Sequence, residues 1–571
     1  LKGEWKAGTT RTLKLSETNS TWSYVLTPTD PSAADYDQTT TDDYSVTSYR
    51  QAPDGTQQAV AWKVVGYDAD GDGTFSMAEK PAWLTSLSKT EGDGGTAADQ
   101  GTATLRKDIT DHLAIRNKAL KDATALGSAS APYDLSTKDG SVARSTANSY
   151  VISAPGHYRI PLVYGNAIEN GSTNDKSYIS HAAMGNSNVL YNFQDHAGHA
   201  IDDPWIEKTN GGANNGVDGA EVVWADAADL VHLSSTPISH DASGNAFLDF
   251  EVTEHDIQSG NAVVAVTKGS GASKTVLWSW HLWFAPKDAL DKIKVTNHQN
   301  KDYYFTKETL GWKLIQWRSS TYTSARTVKV KVEQTVANNG AKAYTVINIT
   351  QNPGGVKKGA TTLYQFGRKD AFPGVDASKL AANSHFTQNA GDNMSIKNGI
   401  QHPDKFYIWG SSWFSAPPTG YTYYNLWSAD NTVTGGWKIG NDNPVVKTVY
   451  DPCPVGFKMP ANNAFTGFTA NGQNGGTMNV DGTDNSQTYQ NNFGHNFWTS
   501  SSKTATINFP ASGYRLNYLG PLVNVGRIGS YWSAVPGSSN FGCGLYFYSG
   551  GVTPLDSGAR TWGYAVRPVS E

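Results

Sequence analysis

The protein has 571 residues, with 46 basic and 51 acidic side chains and a net charge of −5. Aromatic residues reach 11% and charged residues only 17%, which excludes the composition of a disordered chain. No apolar run is long enough for a membrane-spanning helix, and the acidic balance offers no basic surface for nucleic acid. The 57 glycines and 24 prolines predict a turn-rich, mainly β fold.

The hydrophobic pattern alternates with a period of two wherever it is clear. Residues 59–67 predict a mostly buried strand, and residues 109–125 predict a single helix with few apolar positions. Residues 276–284 predict a strand whose largest apolar side chains share one face. Residues 328–349 predict a hairpin, because the Asn-Asn-Gly sequence at 338–340 accepts positive φ angles.

A change in composition predicts one domain boundary. A long strand ends near residue 351, and the sequence beyond residue 359 becomes rich in Asn, Gly, Tyr and Trp. We therefore predict a boundary at about 353, and the usual size of domains suggests another at about 147. The predicted domains are 1–146 and 147–352, each a β-sandwich, followed by 353–571.

An acidic loop at 68–79 matches the spacing of a calcium-binding loop. Its candidate ligands are Asp68, Asp70, Asp72, Thr74 and Glu79. A strand precedes the loop and Lys-Pro follows it, so the flanking helices of an EF-hand are not predicted. Two interpretations stay open, namely a calcium loop outside an EF-hand and a polar hairpin tip rich in Asp and Gly.

Other clusters give weaker signals. His196 and His199 follow Asp195 across a glycine, where a loop held by its own hydrogen bonds is favoured over a metal site. His281 lies between tryptophans on a strand and is predicted to be packed rather than ligating. No nucleophile, phosphate-loop, zinc-protease or dinucleotide motif occurs, so the sequence does not predict an enzyme.

Exposed aromatic side chains suggest a ligand-binding surface in the last third of the chain. The candidates are Trp409, Trp413, Tyr421 and Tyr423, whose rings are suited to stacking on sugars. The alternative interpretation is that such rings fill the core of a domain with little regular structure.

Two cysteines, Cys453 and Cys543, lie 90 positions apart. In an oxidising compartment they would form one disulfide that stabilises the C-terminal region. The alternative is two unpaired, buried thiols.

Several segments resemble the fimbrillin-like surface proteins of Bacteroidales. The resemblance is carried by residues 62–84, 148–152, 161–167, 203–206, 260–263, 278–283 and 364–370. It implies a β-sandwich region with an open sheet edge that can pair with a neighbouring subunit. Among such relatives the segment around Asp68 looks like an ordinary Gly/Asp turn, which weakens the calcium interpretation.

The C-terminal region resembles the major paralogous domain of Fibrobacter and Bacteroidetes surface proteins more specifically. Residues 450–460, 509–515, 529–533 and 563–569 carry this resemblance in the same order. It implies an irregular α+β unit related to the C-type-lectin-like fold. That fold by itself implies neither sugar binding nor calcium.

The two resemblances together imply a non-catalytic, extracellular adhesin or fimbrium-associated tip protein, exported as an outer-membrane lipoprotein. Its expected partners are pilus subunits or a cell-surface anchor. The C-terminal domain is expected to bind a ligand on a host, on bacteria or in the matrix, and this ligand is a protein or a glycan. The alternative is a surface glycan-binding lipoprotein of a polysaccharide-uptake system. A third hypothesis is a hydrolase that uses an unrecognised carboxylate pair. No cofactor is expected other than the calcium of the acidic loop.

Overall fold

The computed structural model describes residues 21–182, 185–408, 423–482 and 486–571. In these residues the protein is mainly β, with many short strands in sheets that are mostly antiparallel. The predicted mainly β class is therefore confirmed. None of the helices in the described ranges is long and apolar enough to cross a membrane.

The described residues up to 306 form twenty-one strands. They are β1 (Ser23–Thr29), β2 (Tyr44–Gln51), β3 (Gln57–Ala59), β4 (Trp62–Asp68), β5 (Leu84–Leu87), β6 (Glu91–Gly92), β7 (Gly95–Gly101), β8 (Ala103–Leu105), β9 (Ile109–Asp111), β10 (Tyr133–Asp134), β11 (Ser149–Ile152), β12 (Gly156–Pro161), β13 (Ile168–Glu169), β14 (Ser172–Thr173), β15 (Gly219–Ala225), β16 (Ile238–His240), β17 (Ala246–Val252), β18 (Gly260–Lys268), β19 (Thr275–Phe284), β20 (Lys292–Thr296) and β21 (Asp302–Thr306).

The remaining strands follow in the same order. They are β22 (Lys313–Ser320), β23 (Arg326–Asn338), β24 (Ala341–Gln351), β25 (Gly355–Ala360), β26 (Phe457–Lys458), β27 (Gly494–Trp498), β28 (Thr506–Pro510), β29 (Tyr514–Arg515), β30 (Leu522–Val523), β31 (Ile528–Pro536), β32 (Phe541–Tyr548), β33 (Gly551–Ala559) and β34 (Val569–Ser570).

The helical segments are short. In the described residues the α-helices are His112–Lys121, Ile396–Gln401 and Ser486–Asn492, and Thr209–Gly212 is a short turn with positive φ angles at Asn210 and Gly211. The 3₁₀ turns of the described residues are Met77–Glu79, Asp175–Ser177, Gly271–Ser273, Lys287–Leu290, Ala377–Lys379 and Asn462–Phe468. The helix predicted at 109–125 is thus present as His112–Lys121, although its first predicted residues form the strand β9.

Two compact units make up the chain. Unit 1 comprises the described residues of Leu1–Asp111 and Arg318–Gly355, and unit 2 those of His112–Trp317 and Val356–Glu571. This grouping differs from the three consecutive domains that we predicted. One change of unit falls close to residue 353, but residues on both sides of 147 belong to unit 2, because segments distant in sequence pack together there.

The core of unit 1 is organised around a long hairpin. The strand β23 pairs antiparallel with both β24 and β4. Val328, Val330 and Val332 are buried, as their alternation with charged residues predicts. At the tip, Asn339 and Gly340 have φ angles of 53° and 87°, which is the backbone that the predicted hairpin turn requires.

The central strand of one sheet in unit 2 is β19, which lies between β11 and β18. Trp278, Trp280 and Trp283 are all buried, and so is the intervening His281. The sequence pattern predicted a single apolar face, whereas both faces of β19 are covered. The covering segments contact side chains of the strand. Trp283 Nε1 donates to the Trp312 carbonyl, and the Lys369 ammonium lies 4.6 Å from the Trp278 ring centre.

Residues before and after β25 share one hydrophobic core in unit 2. The side chain of Asn148 donates to the carbonyls of Val449 and Asp451, at 2.7 and 2.8 Å. Phe305 of β21 pairs with Val569 of β34 near the C-terminus. The segment 353–571 therefore does not have a core separate from that of the residues preceding it.

The two cysteines are free and buried in the structure, so the predicted disulfide between Cys453 and Cys543 is wrong. The two thiols have different neighbours. Cys453 lies beside Asp451, whereas Cys543 lies beside Asn462. Burial raises the pKa of both thiols, in the case of Cys543 to about 12, so they are small apolar core groups rather than a reactive pair.

Candidate functional site

The last antiparallel sheet of unit 2 presents tyrosines on one face. Its strand order is β31, β32, β33. Because side chains alternate along β32, Leu545 and Phe547 are buried in the core, and Tyr546 and Tyr548 lie on the opposite face. Tyr548 is 47% exposed and Tyr546 is half-buried. The sheet thus carries aromatic rings within reach of solvent.

Tyr546 and Tyr548 line an open cleft of about 510 Å³, which we call the tyrosine cleft. Its other walls contain Gln490 from the helix Ser486–Asn492 and Asn524 and Arg527 from the turn that precedes β31. Asn524 has a φ angle of 58°, a conformation that Asn tolerates better than most residues. The turn therefore holds two polar side chains opposite the tyrosine rings.

The tyrosine cleft has a positive electrostatic character. Arg527 is exposed, and within the described residues its guanidinium has no hydrogen-bond or ion-pair partner. None of the described residues that line the cleft carries a carboxylate. The side chain of Arg527 is therefore available to a negatively charged group from outside the chain.

The position of Tyr548 depends on its surroundings. The Nε2–H of His495 donates to the Tyr548 carbonyl at 3.0 Å, and burial lowers the pKa of this histidine. A Cβ atom at Gly551 would lie only 2.8 Å from Cε1 of the Tyr548 ring. The ring thus packs directly on the backbone of the facing strand β33, and a side chain at position 551 would displace the ring.

A group of stacked rings supports the cleft from the side. Tyr514 stacks on Trp562 with 5.6 Å between ring centres, and Tyr564 stacks on Trp532 at 4.2 Å. Nδ2 of Asn524 donates to the Tyr514 hydroxyl at 3.3 Å, so the turn of the cleft is tied to these rings. This arrangement restrains the wall before any ligand binds.

Asp556 is the one acidic residue of the strands β31, β32 and β33, and its pKa is strongly shifted. It lies opposite Gly544 in the register of β32 and β33. Burial raises the pKa of Asp556 to about 7, and the backbone N–H of Ser557 opposes that shift. Its charge is felt by Tyr546 and Tyr564. The described residues that shift the pKa of Asp556 include no second carboxylate.

The predicted calcium loop has partly convergent carboxylates. Carboxylate oxygens of Asp68, Asp70 and Glu79 lie within 4.8 Å of one another. Burial and the charges of Asp70, Asp72 and Asp68 raise the pKa of Glu79. A bound cation would relieve this repulsion.

The same loop also satisfies much of its own hydrogen-bonding capacity. Asp68 accepts the Gly71 N–H at 2.6 Å and the Lys329 ammonium at 3.3 Å. Asp72 accepts the Thr74 N–H at 2.6 Å, so its Oδ1 is directed at the loop backbone. The structure thus brings three of the five predicted ligands together, and both interpretations of the loop stay open.

The predicted aromatic surface lies mostly outside the described residues, which exclude Trp409, Trp413 and Tyr421. Tyr423 is described, and it packs half-buried against the core of unit 2. Its carbonyl accepts a hydrogen bond from Arg560 at 2.8 Å.

The structure gives the surroundings of the histidines that the sequence singles out. Asp195 accepts the backbone N–H groups of Ala197 and His199, each at 2.9 Å, but Nδ1 of His196 is buried without a hydrogen-bond partner among the described residues, so the loop interpretation stays a prediction. His281 is buried, which lowers its pKa to about 3, and its Nε2–H donates to Asn261 at 2.9 Å. His281 is thus packed and neutral.

Sequence reasoning did not single out Tyr546, Tyr548, Arg527 or Asp556. A signal was present in β32, where tyrosines alternate with Leu545 and Phe547. Tyrosine is common in cores as well as at surfaces, so that alternation alone does not distinguish a ligand site from a half-buried strand.

Comparisons of the chain with protein-family models, with curated proteins and with solved structures each found no match.

Proposed function

We propose that the protein is a non-catalytic cell-surface adhesin or fimbrium-associated tip protein that binds a host, bacterial or matrix ligand through residues 353–571. The observation that carries this proposal is the tyrosine cleft, which belongs to that part of the chain. Clefts that combine aromatic rings with a few polar side chains are typical of binding sites. Restrained walls favour affinity, because little conformational freedom is lost on binding.

The composition of the cleft favours binding over catalysis. Its described lining contains no His, Asp, Glu, Cys or Lys, the residue types that most often transfer protons or attack substrates. Asp556 does have a pKa near neutrality, but the charged and polar groups beside it are tyrosines, Cys543 and the Ser557 backbone. A hydrolase with paired carboxylates gains no support from this arrangement.

Attachment to pilus subunits or to a cell-surface anchor, and export as an outer-membrane lipoprotein, belong to the same proposal. Their support is the resemblance to fimbrillin-like proteins together with the mainly β, antiparallel architecture. Short antiparallel sheets with exposed edges are the architecture that strand pairing between subunits requires.

Adhesion of the full chain tests this function. The full chain is needed because residues before and after β25 share one core. Beads coated with the wild type are expected to adhere to host cells, bacteria or matrix proteins, and the double variant Tyr546→Ala/Tyr548→Ala is expected to lose about 90% of that adhesion. The matched control is Tyr304→Ala, since Tyr304 is 42% exposed and lines a different cleft.

The outcomes separate the parts of the proposal. Wild-type beads that adhere to none of the three surfaces would refute the adhesin function. Equal loss in the double variant and in Tyr304→Ala, or no loss in either, would assign the ligand to another surface of the protein.

The second candidate is a surface glycan-binding lipoprotein of a polysaccharide-uptake system, and the exposed Tyr548 ring supports it. Binding to a dietary polysaccharide that is lost in Trp409→Ala or Trp413→Ala, with no adhesion to cells, would favour this candidate over the first.

A further inference from the structure

The tyrosine cleft combines Arg527, which has no partner within the described residues, with the rings of Tyr546 and Tyr548, and this combination restricts the ligands that fit it. We propose that the cleft binds an acidic saccharide, that is, a pyranose ring that carries a carboxylate or sulfate group. This inference deepens the proposed function and rests on it, since it names the class of ligand that the C-terminal region recognises.

Charge complementarity is the first argument. Arg527 is exposed and, within the described residues, unpaired, and the described lining of the cleft carries no opposing carboxylate. An anionic group that enters the cleft therefore meets one guanidinium and no carboxylate within the described lining, although Asp556, outside that lining, acts on Tyr546. Guanidinium binds carboxylate and sulfate through two parallel N–H donors, which gives directional as well as electrostatic recognition.

The tyrosine rings supply the second argument. Tyr548 is 47% exposed, yet its position is restrained by two contacts. Its ring packs against Gly551, and its carbonyl accepts a hydrogen bond from His495. A ring that is exposed and already ordered offers a flat face at little entropic cost. The C–H face of a pyranose is suited to such a surface. Tyr546, on the same face of β32, extends the platform.

The remaining polar groups match a ligand rich in hydroxyls. Gln490, Asn524 and Ser549 line the same cleft and offer both hydrogen-bond donors and acceptors. A peptide with acidic side chains would satisfy Arg527 equally well, and its backbone amides could bond to the three amide and hydroxyl groups, but an acidic side chain offers no flat C–H face to the tyrosine platform. The combined set therefore favours a sugar that carries a negative charge.

The experiment measures binding of soluble polymers to the full chain by calorimetry. Polygalacturonate is a polymer of carboxylated sugars, and heparin is a polymer of sulfated sugars. Dextran contains only neutral sugars, and polyglutamate carries carboxylates but no sugar. We expect binding to polygalacturonate or heparin, or to both. Because heparin carries carboxylates as well as sulfates, binding of heparin alone would identify sulfate as the recognised group, whereas binding of polygalacturonate would show that a carboxylate is sufficient. Dextran and polyglutamate are expected to bind at least about tenfold more weakly, because each lacks one half of the recognised chemistry. Raising the salt concentration should weaken binding.

Variants locate the site. Arg527→Gln should weaken binding about 10- to 100-fold, which corresponds to loss of a charged hydrogen-bonding group. Tyr548→Ala should weaken it about 3- to 10-fold, whereas Tyr548→Phe keeps the ring and should bind within about twofold of the wild type. Two matched controls, Lys503→Gln and Tyr344→Ala, change an exposed cation and an exposed tyrosine elsewhere and should bind as the wild type does.

Equal binding of polyglutamate and the acidic polysaccharides would overturn the inference, and so would wild-type affinity in Arg527→Gln or equal weakening in Lys503→Gln. Absence of binding to both acidic polysaccharides would overturn it as well. If beads coated with the protein still adhere to cells or matrix in that case, the proposed adhesin function stands and only its ligand class changes.

Discussion

Replacing Asp556 by Asn removes a carboxyl group that the fold holds in a poorly solvated position. Burial raises the pKa of this group to about 7 in the folded protein, from the 3.8 of an unperturbed aspartate. An acid with a raised folded pKa binds protons more readily in the folded than in the unfolded chain. Its contribution to stability is therefore greatest at low pH, falls as the pH rises above the unfolded value, and is lost once the pH passes the folded value.

The magnitude follows from the two pKa values. Between about pH 5 and about pH 8, this single group is expected to lower the free energy of unfolding of the wild type by roughly 2.5 kcal/mol. The asparagine side chain of the variant is neutral throughout and does not have this dependence. The variant should therefore gain stability relative to the wild type by about that amount as the pH is raised across the range.

Urea unfolding of both proteins at several pH values tests this reasoning. Hydrogen exchange of peptides that cover residues 528–559 is a suitable readout, because it reports on the sheet that contains Asp556 rather than on the whole chain. The control is Asp302→Asn. The ammonium of Lys294 and the hydroxyl of Thr296 lower the pKa of Asp302, so this carboxyl is ionised in both the folded and the unfolded chain above about pH 5. The stability difference between Asp302→Asn and the wild type should therefore stay constant between about pH 5 and about pH 8. A stability difference between Asp556→Asn and wild type that stays constant with pH would refute the assignment of a raised pKa.

Three further predictions address the acidic loop, the thiols and the aromatic core. The calcium interpretation of the acidic loop predicts binding heat in calorimetry with the wild type that Asp70→Ala abolishes, whereas the hairpin-tip interpretation predicts no heat with either protein. Cys453 and Cys543 should be unreactive towards a thiol reagent in the folded protein and react as two free thiols in denaturant, whereas a mass consistent with a disulfide would contradict the structure. Phe547→Ala should lower the free energy of unfolding by about 3–5 kcal/mol in urea, because it leaves a cavity among buried rings. A decrease below about 1 kcal/mol would indicate that the ring is not packed as described.

Local features of the fold were predictable because they depend on near neighbours in the chain. The alternation of Val328, Val330 and Val332 with charged residues determined a strand with one buried face, and Asn339-Gly340 determined its turn. The helix at His112–Lys121 was also anticipated within a few residues. In each case the signal and the structure involve the same short segment.

The arrangement of distant segments was not predictable in this way. The pattern of β19 placed its largest apolar side chains on one face, but the segments that cover the strand on both faces, which include Trp312 and Lys369, come from other parts of the chain. The disulfide failed for the same reason, since the spacing of Cys453 and Cys543 carries no information on which neighbours surround each thiol.

The sequence by itself determined that this protein is turn-rich and mainly β, and where several of its strands and turns lie, because periodicity and positive-φ residues act locally. Only the tertiary structure decided which strands pair, that residues before and after β25 share one core, and that Tyr548 and Arg527 meet across one cleft. The physical reason is that burial and charge environment depend on groups that are remote in sequence. A tyrosine on a half-buried strand becomes a candidate ligand platform only when a turn from elsewhere places beside it a cation that has no partner within the described residues.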